Sequence, residues 1–267
     1  MIDTHCHINM MIKKKFDVPI VSSELPHAKI IIEEAQQAQV NYIINVGTSL
    51  IESKNCIELA KTFKNLYASI GIHPNDCTAQ WLKDFKELKP LLQKKESNKI
   101  IAIGECGFDK HYPGYNLQRQ RDAFKAQVEL ALENDLPIII HTRDAKDETL
   151  DALSEFSKDN IKGVIHCFSE DLAFAKEVIN LNFLLGIGGT LTYPKNNILR
   201  QVFTTINLEH IILETDAPFL PPQIIRGKEN HPKYILTIAE YLAEIRNESL
   251  LTIATQTTAN ARKLFNF

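Results

Sequence analysis

Two histidines lie one residue apart near the amino terminus, in the segment His5-Cys6-His7 that ends the first apolar run. In an extended chain alternate side chains share a face, so His5 and His7 point to one side and Cys6 to the other. Two imidazoles on one face are half of a typical protein metal site. The pair therefore predicts a metal site, provided that other segments bring the remaining ligands to it.

Four further residues with ligand-type side chains lie at the ends of later strand-like runs: Glu105, His141, His166 and Asp216. Six such side chains are too many for one tetrahedral zinc and the right number for two metals that share a carboxylate. Glu105 comes from a middle run and is the natural bridge. The predicted ligands are His5, His7, Glu105 and Asp216 for the first metal, and Glu105, His141 and His166 for the second.

The elements that must position these residues alternate along the whole chain. Eight β-branched runs predict strands at 1–5, 41–46, 67–72, 99–105, 137–141, 163–166, 182–186 and 210–215. Apolar residues at helical spacing predict helices that include 28–39, 51–63, 117–134, 145–157, 172–180, 196–206, 231–246 and 249–264. Strand–helix alternation with near-continuous apolar strands is typical of a parallel sheet covered by helices.

Eight such units in 267 residues predict an α/β fold of the TIM-like (β/α)8 type, with residues 1–267 forming a single domain. The main alternative is an open doubly wound sheet. That fold more often carries a glycine-rich phosphate turn after its first strand, and residues 4–9 contain no glycine. In a closed barrel the carboxyl ends of all strands meet at one mouth, which would bring the six ligand candidates together.

Composition excludes several classes of protein. The net charge of −3 and the pI near 6.3 give no overall basic field for indiscriminate binding of nucleic acid or anionic membrane. No apolar run is long enough to cross a bilayer, and the first strand leaves no room for a secretory signal. Five cysteines without C-x-x-C spacing indicate reduced thiols in a cytoplasmic protein. We expect no membrane association and no stable protein partner.

Five other residues lie near the predicted mouth. Arg143 and Arg226 are on loops there and suit the bidentate binding of phosphate, and His73 ends the third strand and could also contact a substrate phosphate. Asp3 and Glu214 share strand faces with candidate ligands and should point into the barrel. The default prediction for these two carboxylates is contact with a ligand histidine or with a nearby lysine or arginine, although Glu214 could instead contact an additional metal.

Taken together, these residues resemble the TatD family of metal-dependent deoxyribonucleases, within the amidohydrolase-like superfamily. The matching segments run in the family's order and span residues 2 to 218. They are Ile2-Asp3-Thr4-His5-Cys6-His7, Gly71-Ile72-His73-Pro74, Gly104-Glu105-Cys106-Gly107-Phe108-Asp109, Ile140-His141-Thr142-Arg143-Asp144-Ala145, His166-Cys167-Phe168-Ser169 and Leu213-Glu214-Thr215-Asp216-Ala217-Pro218.

The resemblance implies a TIM-like barrel, two divalent metal ions and hydrolysis of DNA phosphodiesters, often exonucleolytic. Carried over residue by residue, it implies the same six ligands. The sequence departs from the family pattern at Glu170, at 110–115 and at His231, which puts substrate preference in doubt and leaves the metal site alone. The predicted function is a metal-dependent hydrolase, a deoxyribonuclease in which two metals activate a water.

Asp216 and Glu105 are the predicted catalytic residues: Asp216 would orient or deprotonate the water, and Glu105 would bridge the metals. With no basic surface, DNA binding should be weak and salt-sensitive, and a pocket that admits a strand end suits an exonuclease. The alternatives are a metal-dependent amide or ester hydrolase on the same barrel and a non-catalytic metal-binding protein. Four imidazoles suit zinc, manganese, cobalt or nickel better than magnesium, which family nucleases also use.

Overall fold

Eight parallel strands form a ring in which each strand pairs with its neighbours in sequence. The structure is a computed structural model that describes all residues from Met1 to Phe267. Its sheet order follows the chain from the first strand to the eighth, and every observed pairing is parallel. The strands are β1 Ile2–Cys6, β2 Tyr42–Asn45, β3 Leu66–Ile70, β4 Ile100–Asp109, β5 Ile138–Arg143, β6 Gly163–Ile165, β7 Phe183–Ile187 and β8 Ile211–Leu213. The predicted TIM-like (β/α)8 barrel is confirmed.

The ring closes just beyond β8, through the segment that carries Asp216. The Asp216 N–H donates to the His5 carbonyl at 2.8 Å, and the His7 N–H donates to the Ala217 carbonyl at 2.7 Å. The Thr4 hydroxyl donates to the Leu213 carbonyl at 2.9 Å. These bonds bind the first ligand-bearing segment to the last, although about 210 residues of sequence separate them.

Ten α-helices connect the strands or follow them. They are α1 Ile8–Lys13, α2 Leu25–Gln37, α3 Leu50–Thr62, α4 Trp81–Leu88, α5 Leu117–Glu133, α6 Lys146–Ser154, α7 Leu172–Asn180, α8 Asn197–Thr205, α9 Ile235–Arg246 and α10 Leu250–Phe265. Neither α1 nor α4 is among the predicted helices. Helix α1 has only six residues, too few for a periodic pattern, whereas Trp81, Phe85 and Leu88 in α4 do follow helical spacing.

Strands β4 and β8 end at other residues than predicted, and both differences lie at the mouth. Strand β4 continues four residues past Glu105, because residues 106–109 pair with β5 as far as Arg143. Strand β8 ends at Leu213, because the backbone turns at Asp216, which has a φ of 57°. An aspartate tolerates this left-handed conformation better than most residues do.

Apolar packing closes one end of the barrel and leaves the other end open. The main core lies between the strands and the surrounding helices. A smaller cluster fills the barrel interior at the amino ends of the strands, where Ile2, Ile44 and Ile212 pack against Leu264 and Phe265 of α10. The opposite end, at the carboxyl ends of the strands, is therefore the accessible one.

The five cysteines are all free thiols, in agreement with the sequence analysis. No helix is both long enough and apolar enough to span a membrane.

Candidate metal centre

The six predicted ligand residues lie together at the mouth of the barrel. Five of them line a cavity of about 690 Å³, and His5 lies directly beneath it. His5, Glu105 and His141 lie in β1, β4 and β5, whereas His7, His166 and Asp216 lie just past the ends of β1, β6 and β8. Their convergence is the arrangement that the barrel prediction required.

A first group of side chains surrounds His5 and His7. The Nε2 atoms of the two rings are 3.2 Å apart. The Asp216 Oδ1 atom lies 3.7 Å from Nε2 of His5 and 3.4 Å from Nε2 of His7, and Glu105 Oε2 lies 3.3 Å from Nε2 of His5. Four possible donor atoms of a metal site thus face one point.

A second group surrounds the other oxygen of the Glu105 carboxylate. Glu105 Oε1 lies 2.9 Å from Nδ1 of His141 and 3.7 Å from Nε2 of His166. Because Oε2 faces the first group and Oε1 faces the second, Glu105 is positioned between them, as the predicted bridge has to be.

Hydrogen bonds at the outer nitrogens of two rings, those of His7 and His141, fix which nitrogen faces the cavity. Nδ1 of His7 lies 3.0 Å from the Val46 carbonyl oxygen, which accepts only, so the neutral ring carries its proton on Nδ1 and its Nε2 lone pair is free. Nε2 of His141 lies 3.1 Å from Asp109 Oδ2, and its Nδ1 faces Glu105. Carboxylate or carbonyl partners of this kind typically support metal-binding histidines.

Asp109, the partner of His141, is not among the predicted site residues. Its side chain also accepts a hydrogen bond from the Asn75 amide at 3.0 Å and from the His111 N–H at 2.8 Å, so it is firmly placed behind His141. A signal was present: Asp109 is four positions after Glu105, and residues an even number of positions apart share a face of a strand. It was hidden because β4 was predicted to stop at 105.

Glu214 supports His166, as the default prediction for it states. Its Oε1 atom lies 2.9 Å from Nδ1 of His166 and accepts a hydrogen bond from the Cys167 N–H at 2.5 Å. Asp3 differs, because it contacts no imidazole. It accepts hydrogen bonds from the Thr215 hydroxyl at 2.5 Å and the Thr215 N–H at 2.9 Å, and so connects β1 to the segment that carries Asp216.

His73 lies beside the second group but presents a donor to it. Its Nδ1 accepts a hydrogen bond from the Asn75 N–H at 3.1 Å, so the proton of the neutral ring is on Nε2, which lies 3.6 Å from Glu105 Oε1. Burial lowers the pKa of His73 to about 3, so the ring is neutral at physiological pH. A neutral donor at this place can hydrogen-bond an anionic oxygen and offers the cavity no lone pair.

Arg143 and Arg226 are the only two of the seven arginines whose guanidinium groups have no hydrogen-bond partner in the protein. Each is held over a tyrosine ring: Arg143 at 5.4 Å from the Tyr112 centroid and Arg226 at 3.9 Å from that of Tyr193. Arg143 lines the cavity, whereas Arg226 lies outside its lining. Both leave their N–H groups free for an external anion.

Charge around the cavity keeps the carboxylates ionised. Burial raises the pKa of Glu105, but His5 and the imidazoles around it outweigh burial and hold that pKa well below its usual range. The pKa of Asp216 is lowered in the same way, since its contact with His7 outweighs burial. For Asp109 the hydrogen bond with His141 overcomes burial and lowers the pKa to about 2. Ionised carboxylates and imidazole lone pairs are the donors that divalent transition metals prefer.

One glycine allows Glu105 to reach its place. Gly104 has a φ of 125°, and a Cβ atom there would lie only 2.5 Å from the Ile139 carbonyl oxygen of β5. Only glycine accommodates both the positive φ and the close approach of the neighbouring strand.

The cluster passes a simple test for a cation site. Imidazole nitrogens of His5, His7 and His141 and ionised carboxylate oxygens of Glu105 and Asp216 lie within 2.9–3.9 Å of one another. Such atoms repel unless a proton or a cation lies between them. The same residues group into sets of three that could each hold an ion, among them His5, His7 and Asp216, and His5, Glu105 and His166.

Nearly the whole chain matches a known protein family. Residues 2–266 match the family model described as TatD related DNase. The chain is 33% identical over 265 residues to the uncharacterized metal-dependent hydrolase YabD of Bacillus subtilis (strain 168), covering 99% of this chain and 98% of that protein.

Solved structures show the same fold. The crystal structure of YjjV, a TatD homolog from Escherichia coli K12, superposes with a TM-score of 0.89 at 31% identity and covers 100% of this chain and 98% of its own. A TatD family hydrolase from Entamoeba histolytica shares the fold with a TM-score of 0.83 at 21% identity, covering 99% of this chain and 97% of its own. The chain belongs to the TatD family of metal-dependent hydrolases.

Proposed function

We propose that the six residues at the mouth hold two divalent cations, with Glu105 bound to both. The support is geometric: one oxygen of the Glu105 carboxylate faces the group of His5 and His7, and the other faces the group of His141 and His166. Zinc, manganese, cobalt or nickel suit four imidazoles best, while magnesium prefers oxygen ligands. The number and identity of the ions stay predictions.

When bound, such a pair of cations lowers the pKa of a water and offsets negative charge on the substrate. The protein's own residues position the reactants. Asp216, whose carboxylate is 13% exposed at the cavity, can accept a hydrogen bond from the attacking water and orient it. The His73 Nε2–H and the Arg143 guanidinium are placed to donate hydrogen bonds to the non-bridging oxygens of a phosphate.

We infer that the substrate is a DNA phosphodiester, so that the protein is a deoxyribonuclease. One observation carries this inference: Arg143 lines the same cavity as the candidate ligands, is held over Tyr112, and has no anionic partner in the protein. A free guanidinium beside the reacting centre suits a phosphodiester, because arginine binds phosphate oxygens in a bidentate manner. An uncharged amide substrate would leave this cation without a partner.

A strand end is a better substrate than the middle of a duplex. The net charge of −3 supplies no extended basic surface, so the enzyme can contact few phosphates at once. We therefore propose exonucleolytic cleavage. Closed circular plasmid should resist cutting while its linearised form is shortened, and equal rates on the two forms would show that free ends are not required.

A substrate panel tests the function. We expect hydrolysis of a single-stranded oligodeoxynucleotide and of a chromogenic phosphodiester, with none of an N-acyl amino acid, and loss of activity when a chelator is added. Cleavage of the N-acyl amino acid alone would overturn the nuclease proposal in favour of the amide or ester hydrolase. Activity that persists after exhaustive chelation would overturn the role of the metals.

Replacing Arg143 by alanine is expected to raise KM for the oligonucleotide with a smaller effect on kcat. A hydrogen bond to a charged group contributes about 1.5–3 kcal/mol, which corresponds to roughly 10- to 100-fold in kcat/KM. Steady-state kinetics on a fluorescent oligonucleotide measure the change. Arg121→Ala is the control, because Arg121 pairs with Asp151 and Glu155 on the outer surface. Equal kinetics for the two variants would contradict a role for Arg143 in binding.

Replacing Asp109 by asparagine is expected to weaken metal binding and activity by about 10- to 100-fold, the usual effect of losing a partner that orients a metal-binding histidine. The amide no longer secures the ring orientation that directs Nδ1 of His141 to Glu105. Calorimetric titration with Mn²⁺ measures the affinity. Asp144→Asn is the control, since Asp144 binds only the exposed His111. Unchanged affinity in the Asp109 variant would remove Asp109 from the site.

The cytoplasmic location stays a prediction, supported by the five free thiols.

A further inference from the structure

Exposed aromatic rings are concentrated at the mouth of the barrel. Only four phenylalanine or tyrosine side chains are exposed: Phe16, Tyr112, Tyr115 and Phe219. Three of them line the cavity that contains the candidate ligands, and Tyr115 does not. Large apolar groups left in water at one place usually mark a binding surface.

Phe219 is held exposed beside the metal centre by a rigid turn. Its ring lies 6.0 Å from that of His7, edge to face, and 42% of the residue is exposed. The buried Asn230 amide donates to the Phe219 carbonyl at 2.8 Å and to the Thr215 carbonyl at 2.8 Å. These hydrogen bonds hold the turn in place, so the Phe219 ring is already exposed before any ligand binds.

Phe16 lies on the segment after α1, which a buried ion pair anchors. The Asp17 N–H donates to Glu52 Oε1 at 2.7 Å, and Lys13 Nζ bonds both Glu52 and the Val18 carbonyl. Lys14 further pairs with Glu229 on the segment after β8, which also carries Phe219. With its flanking residues fixed in this way, Phe16 is 65% exposed.

Tyr112 places an exposed aromatic ring next to the positive charge of Arg143. It is 54% exposed, and the unpaired guanidinium of Arg143 lies over its ring. A π-face and a phosphate-binding group side by side match the repeating chemistry of a nucleic acid strand, in which each base is one phosphate away from the next.

We propose that Phe16, Tyr112 and Phe219 form a stacking surface for unpaired nucleobases next to the scissile phosphodiester. This inference rests on the proposed nuclease function. Stacking on an aromatic side chain is worth about 1–3 kcal/mol per base and tolerates any base. The surface thereby selects a strand end whose bases are free of pairing, and it discriminates against a phosphodiester without bases.

The test compares two oligonucleotides that differ only in bases: a single strand of normal nucleotides and the same strand with two abasic residues at the end that is cut. The wild-type kcat/KM should be about 10- to 100-fold higher for the base-bearing end, as expected for one or two stacked bases. Phe16→Ala and Phe219→Ala should each lower kcat/KM for the base-bearing end by about 5-fold or more and leave the abasic end unchanged. Tyr115→Ala, the matched exposed aromatic outside the cavity, should change neither.

A second measurement does not depend on cleavage. With chelator present, the emission of a terminal 2-aminopurine should fall when it stacks on the wild-type protein, and less so with Phe16→Ala. Equal cleavage of base-bearing and abasic ends would overturn the stacking surface and leave the nuclease intact. Variants of both phenylalanines that slow the two substrates alike would also overturn it, because a stacking role predicts a loss on the base-bearing end only. Failure to cut either strand with any divalent metal would instead refute the nuclease function.

Discussion

Replacing Glu105 by alanine is expected to abolish hydrolysis of whichever substrate the wild type cleaves. The carboxylate is 4% exposed and is the only one whose two oxygens face both histidine groups. Its removal takes a ligand from each proposed ion, so the loss should exceed the about 100-fold that an outer partner costs. Steady-state rates with saturating Mn²⁺ or Zn²⁺ measure the effect.

Two controls separate this loss from unfolding. The Glu105→Ala variant should keep a cooperative thermal transition, because the main apolar core does not include Glu105. Glu148→Ala removes a carboxylate that pairs with Lys110, away from the candidate ligands, and should leave the rate unchanged. A folded Glu105→Ala protein with activity within tenfold of the wild type would refute the bridging role.

The largest effect on stability is expected for Glu52→Ala. Glu52 and Lys13 form an ion pair at 2.7 Å in which both side chains are 1% exposed, and Glu52 also accepts hydrogen bonds from Asn9 and Asn55. Removing one member of a buried pair leaves an uncompensated charge and costs about 3–5 kcal/mol. Denaturant unfolding should therefore show a lower free energy of unfolding by that amount.

The stability lost in Glu52→Ala should be smaller at low pH than at neutral pH. Burial raises the pKa of Glu52, but hydrogen bonds from Lys13 and the two asparagines outweigh it and lower the pKa below its ordinary value. A depressed carboxyl pKa stabilises the folded state above the unfolded-state pKa, about 4.3 for glutamate. The difference between wild type and variant should thus be full at neutral pH and shrink as the pH falls below about 4.

An exposed pair is the matched comparison. Glu33 lies 3.7 Å from Lys29 one turn away in α2, with both side chains more than half exposed. Glu33→Ala should cost no more than about 0.5 kcal/mol. Equal losses for Glu33→Ala and Glu52→Ala would mean that burial of the Lys13 pair contributes nothing.

The barrel could be predicted from the sequence because its strands are short, nearly continuous apolar runs. Such runs indicate buried strands even without an alternating pattern. All eight strands were found. Their ends were less predictable, because hydrogen bonding between strands decides them: β4 extends to Asp109 only because β5 pairs with it that far. Helix α1 could not be predicted, because six residues are too few to show a helical pattern of apolar residues.

The candidate site also has a part that the sequence predicts and a part that it does not. The six ligand candidates could be predicted because each lies at or just past the end of a strand-like run. The partners behind the ligands are less regular: Asp109 lies beyond the predicted end of its strand, and Asp3 shares the face of His5 and His7 yet bonds backbone and hydroxyl groups of Thr215. The stacking rings lie on loops, where sequence spacing carries no geometric information and only tertiary contacts fix position.

The most direct test of the account is the metal content of the purified protein. After dialysis against Zn²⁺ or Mn²⁺ and removal of excess ion, elemental analysis should give two ions per chain for the wild type and at most one for Glu105→Ala. A wild-type protein that retains one ion per chain or fewer under these conditions would contradict the claim that the strand ends assemble a two-cation centre.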